Sequence, residues 1–102
     1  SVRTFKLMAD YDSLPLRDIE YPFSIEFNKL PISENLIKRL ENWDVAYVAT
    51  LNQEYPPLSD FPTPEERKKF MEEGYALHRL LQEALKDNFV IEYEPLPEKE
   101  DV

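Results

Sequence analysis

Residues 63–85 read TPEERKKFMEEGYALHRLLQEAL, and their pattern decides the fold. Thr63 is a good N-cap, Pro64 suits the first helical position, and Glu66 stands three residues after the cap. That combination is a capping box, in which the threonine hydroxyl and the glutamate carboxylate each satisfy a free backbone N–H. Phe70, Gly74, Leu77, Leu81 and Leu85 then recur at three- and four-residue spacing, so one face of a helix is apolar. Asp87 and Asn88 mark its end. Gly74 is the only glycine in the chain, and within a helix it reads as a small residue that lets two helices approach closely.

Upstream, Ser33 caps a second helix. Leu36, Ile37, Leu40, Trp43, Tyr47 and Leu51 repeat with the same period, which predicts a helix to about Asn52. Val45 and Val48 lie off that stripe and are expected to widen its buried face. Residues 53–62, stopped by Pro56 and Pro57, form the connector. Two helices joined by about ten residues fold as an antiparallel hairpin. The two ends of the chain supply strands. Residues 3–9 alternate, with Phe5, Leu7 and Ala9 on one side, and residues 89–93 are β-branched and aromatic. Residues 10–32, broken by Pro15, Pro22 and Pro31, read as an ordered loop with room for a short strand at 24–27. The expected architecture is α+β in two layers, a helix hairpin on a two- to three-stranded sheet, with the strand directions open. One domain over 1–93 and a frayed acidic tail over 94–102 complete it.

The chain has 102 residues. It is 42% apolar, enough for one core, and its 12 basic and 21 acidic residues leave a net charge of −9. Such a surface repels nucleic acid and anionic membranes, and it attracts cationic partners. No cysteine is present, which excludes thiol catalysis and thiolate metal sites; a single glycine excludes a phosphate-cradling loop. The only histidine, His78, falls at the edge of a buried stripe and reads as a boundary residue. With no membrane-length apolar run and no signal-like opening, the expectation is a soluble cytoplasmic protein, monomeric when free and without a cofactor.

Polar chemistry concentrates at Asp10-Tyr11-Asp12-Ser13. Three readings stand side by side: carboxylates that hold a hard cation, turn residues bonding the local backbone, or a binding surface anchored by Tyr11. Tyr21 and Tyr55 lie on other proline-stiffened segments, and Asp18, Glu20, Glu54 and Asp60 would form a charged rim around them. Large tyrosine contacts inside an acidic rim have the composition of a protein-binding hot spot.

Several segments carry a family resemblance: FKLMADYDSLPL (5–16), LPISENLI (30–37), ATLN (49–52), FPTPEE (61–66) and EEG (72–74). Across most of its length the chain resembles small acidic bacterial immunity proteins encoded beside polymorphic toxins, on Rhs-type or contact-dependent delivery systems. Arg17 stands where those proteins have an aromatic, often Trp, and residues 24–27 replace a Gly/Asp-like turn. The resemblance implies no catalytic residues. It implies a partner, a cognate toxin domain. The acidic charge independently suits a basic cleft on that domain, which the tyrosine-bearing loops at 10–21 and 54–61 are expected to plug. The alternative is a metal- or small-ligand-binding protein centred on Asp10 and Asp12. A third is an oligomerisation domain that pairs through its helix hairpin.

Overall fold

A computed structural model describes residues 3–11, 13–20, 24–55 and 60–96. The elements are β1 (Arg3–Leu7), β2 (Leu16–Asp18), a 3-10 turn (Phe27–Lys29), α1 (Glu34–Val48), α2 (Pro64–Leu85) and β3 (Phe89–Tyr93). Both helices start where their caps stand. The Ser33 hydroxyl accepts from the Leu36 N–H at 3.1 Å and the Thr63 hydroxyl from the Glu66 N–H at 3.2 Å. α1 ends at Val48 rather than near Asn52. Its last turn tightens, with the N–H groups of Thr50 and Leu51 reaching back three residues to Tyr47 and Val48.

The three strands lie in the order β2-β1-β3. β1 runs antiparallel to β2, with Phe5 opposite Asp18, and parallel to β3, with Phe5 opposite Ile91. The parallel pairing follows from the connection, because both helices intervene between β1 and β3 and give the chain length to cross over. β2 falls inside the expected loop. It has three residues and follows Pro15 directly, so no local pattern announces it; backbone pairing to β1 and burial of Leu16 make it a strand. Of residues 24–27, Ser24 adds a single bridge to Arg17, and Phe27 already begins the 3-10 turn.

Helix pairings descend in number along α2 as they ascend along α1. Arg39 grips Glu73 through two N–H groups at 3.0 and 2.6 Å, and Trp43 donates to the Phe70 carbonyl at 2.9 Å. The helices are therefore antiparallel. α2 lies against β3, and α1 lies against α2, with Trp43 reaching across to Tyr93. Phe5, Leu7, Leu16, Leu40, Leu77 and Leu81 sit at the centre of the core, fully buried.

Exposed sheet edges invite pairing with other chains, and in this fold both are occupied. The Gln82 side chain donates to the Phe89 carbonyl and accepts from the Ile91 N–H, as a neighbouring strand residue would. His78 bonds the Ile91 carbonyl at 2.6 Å through Nε2, so that nitrogen carries the proton, while its ring stacks near Tyr93. At the far edge the Ile25 N–H donates to the Leu16 carbonyl. Of the expected tail, the Glu94 N–H bonds the Leu7 carbonyl and Leu96 packs against the core; residues 97–102 lie outside the described residues. Among the described residues no helix is long and apolar enough to cross a membrane.

Candidate functional site

The two loops singled out by sequence meet at the C-terminal end of α1. Tyr11 lays its ring on Tyr47, with centroids 4.3 Å apart, and its hydroxyl is 2.7 Å from the Thr50 hydroxyl. Thr50 spends its only hydroxyl proton on the Tyr47 carbonyl at 2.7 Å, so Tyr11 is the donor to Thr50. From the other side the Asp60 N–H donates to the Thr50 carbonyl at 3.2 Å. One threonine thus ties the 10–13 loop and the returning connector to the same helix end. Tyr47 continues inward to Phe70, which also contacts Phe61 and Trp43. The surface tyrosine is backed by an aromatic chain running into the core.

The Asp10 carboxylate accepts from Ser13 at 3.0 Å and from Arg17 at 2.6 Å, and Arg17 also donates to Ser13. Turn chemistry therefore holds the described part of this cluster, and Arg17 is one of its members. Among the described residues no three histidine, aspartate or glutamate side chains converge as metal ligands, so the metal-site alternative gains no support there. Asp12 lies outside the described residues, as does Tyr21.

The remaining expected site residues separate. Glu54 and Tyr55 are exposed on an Asx turn in which the Asn52 side chain accepts from both of their N–H groups. Glu20 is exposed as well. Asp18 does not belong to a rim. Only 4% exposed, it accepts from the Arg3 guanidinium and from the Glu20 N–H at 2.9 Å, stitching β2 to β1. An unpaired buried carboxylate would be costly, and the arginine on the adjacent strand compensates it.

Sequence reasoning missed the outer face of α1. Val45 and Val48, expected to extend the core, are 66% and 42% exposed. Beside them a cleft of about 430 Å³ opens between α1, the 3-10 turn and Leu14. Leu14, Phe27 and Ile37 contribute its apolar lining, and Glu26, Glu41 and Asp44 its charge. The signal was available: Glu41, Val45 and Val48 follow one another at helical spacing off the apolar stripe, which places them on a shared outward face.

The last turn of α1 holds no basic residue to offset the negative pole of the helix. Burial, and then the charge of Asp10, push the Asp44 carboxyl above the ordinary carboxylate range. Burial and the neighbouring Tyr11 push the Tyr47 hydroxyl up to about 12, so it stays protonated at neutral pH. A carboxyl with a raised native pKa binds its proton more tightly folded than unfolded. Its cost is absent below the unfolded pKa, grows through the window up to the native value, and is complete above it. Asp44→Asn is therefore expected to raise Tm by roughly 1–3 °C at pH 7, because a partly exposed group is well screened. Melts repeated near pH 3 should show the two proteins converging; an unchanged or lower Tm at pH 7 would contradict the assignment.

The arrangement assembles contact area and negative charge. A family described as Serratia CdiI immunity protein-like matches residues 3–96, from β1 through the last described residue. No curated protein matches the chain.

Proposed function

The chain belongs to the Serratia CdiI immunity protein-like family, and from that premise we propose that it neutralises a cognate toxin domain by binding it and occluding its active site. The contact surface is the acidic, tyrosine-bearing end of α1, and the partner is a toxin domain with a basic cleft, met in the cytoplasm by a monomeric inhibitor that performs no catalysis of its own. The observation that carries this reading is the convergence of Tyr11 and Asp60 on Thr50, with Asp10 and Asp44 close enough to repel. Two loops far apart in sequence are held as one preorganised patch, which lowers the ordering cost of binding. Exposed Glu54 and Tyr55, on the Asn52 turn that follows Thr50, extend that patch, whereas Glu20 lies beyond the opposite end of the β1–β2 pair. Net charge of −9 speeds encounter with a cationic cleft and discourages nucleic acid from competing for the surface.

The test is a titration of the chain into the purified toxin domain encoded beside it. Calorimetry should give a one-to-one complex with Kd of about 10 nM or below, in the range of standard-size inhibitor interfaces. Toxin activity should vanish at stoichiometric addition, and the toxin's substrate should compete with the chain. Full activity in excess inhibitor would reject the function; inhibition without competition would reject occlusion.

A further inference from the structure

Val45 is the most exposed of the large apolar residues on the described surface, and Val48 follows it one turn later. Their neighbour is the cleft holding Glu26, Glu41 and Asp44 and no base. Three other clefts among the described residues each carry at least one arginine or lysine. Glu41 and Asp44 make no ion pair among the described residues, and Glu26 meets only Lys29 at 3.7 Å, with both side chains largely exposed. We propose that the outer face of α1 and this cleft receive a basic amphipathic segment of the toxin domain, its apolar side on Val45 and Val48 and its cations among Glu26, Glu41 and Asp44.

This assignment rests on the immunity reading and names the part of the surface that contributes most of the affinity. Exposed valines flanked by acids constrain the occupant. A second copy of the chain would cover the valines but set carboxylates against carboxylates, and nucleic acid would be repelled outright. A lysine- or arginine-bearing helix satisfies both requirements, because its apolar face can fill the cleft while its cations reach the rim. The repulsion that Asp10 exerts on Asp44 adds to the gain, since a cation docked there relieves it.

Three variants test the assignment against the purified toxin domain by calorimetry. Glu41→Lys with Asp44→Lys inverts the cleft, and Val45→Arg acts on a two-thirds exposed residue that folding does not need. Glu72→Lys with Glu92→Lys makes the same change in net charge elsewhere. The cleft variants should lose affinity by about 100-fold or more, as truncated or inverted interface anchors do. The control should stay within about fivefold, and the cleft inversion should flatten the salt dependence of Kd. Cleft variants that bind as tightly as the control would overturn this surface and leave the immunity reading intact. No complex with the unmodified chain would overturn both. Dimers of the free chain in light scattering, lost in Val45→Arg, would assign the face to a second copy instead.

Discussion

Trp43→Ala should lower the stability of this domain by about 4 kcal/mol, the largest effect expected of any single truncation here. Three losses combine. The ring is 3% exposed and stacks on Phe70 at a centroid distance of 4.5 Å, so its removal leaves a cavity between α1 and α2. The bond from its indole N–H to the Phe70 carbonyl disappears. Tyr93, which Trp43 meets at 6.4 Å, loses part of its wall. Domains of this size have stabilities of about 5–15 kcal/mol, so the variant would keep a small margin at best. Thermal unfolding should shift down by roughly 15–30 °C. Trp43→Phe, which keeps a ring and forfeits the hydrogen bond, should recover about half of the loss. A Trp43→Ala melt within a few degrees of the parent would show that the hairpin is not joined through this residue.

Gly74→Val is expected to cost about 3 kcal/mol, although valine is the better helix former. A Cβ at position 74 would lie 2.8 Å from Cζ of Tyr93 and 3.0 Å from Cζ2 of Trp43. Neither ring can retreat freely. Tyr75 meets Tyr93 edge-on at 5.0 Å, His78 stacks on its other side, and burial drives the Tyr93 hydroxyl up to about 12. Gly74→Ala separates the opposing terms. Its gain in helix propensity is about 1 kcal/mol, and its clash exceeds that, so a net loss of about 1 kcal/mol should appear in denaturant melts. Tyr93→Phe in the Gly74→Ala background should return part of the loss, because the hydroxyl lies closest to the added carbon. A Gly74→Ala variant more stable than the parent would show that the rings yield easily.

The same glycine shows where sequence reasoning succeeds. Its place in the apolar stripe of α2 implied a close approach, and the stripe of Phe70, Gly74, Leu77, Leu81 and Leu85 is the buried face found in the structure. The expected approach was that of the other helix; Trp43 of α1 does come close, but Tyr93 of the following strand comes closer, a partner that the helix pattern could not reveal. Val45 and Val48 illustrate the opposite outcome. Their hydrophobicity argued for burial, but the helix stripe turns only one face inward, and these two residues fall on the other.

The candidate site divides in the same way. Its chemistry, acidic and tyrosine-rich with a turn at residues 10–13, could be read from composition and neighbouring residue types. Its geometry could not. Tyr11 and Thr50 are 39 positions apart, and Asp18 changes from rim residue to buried structural anion only because Arg3 lies on the adjacent strand.

By itself the amino-acid order determined both helix starts, the buried stripe of α2, the two terminal strands and the sign of the surface charge. Caps, periodicity and charge belong to residues within a few positions of one another, so they need no knowledge of the rest of the chain. The tertiary structure alone decided β2, the parallel pairing of β1 with β3, the burial of Asp18 and the union of the two loops at Thr50. Each of these depends on which distant backbone or side chain arrives to satisfy a hydrogen bond or cover a charge, and only the folded chain brings those partners together.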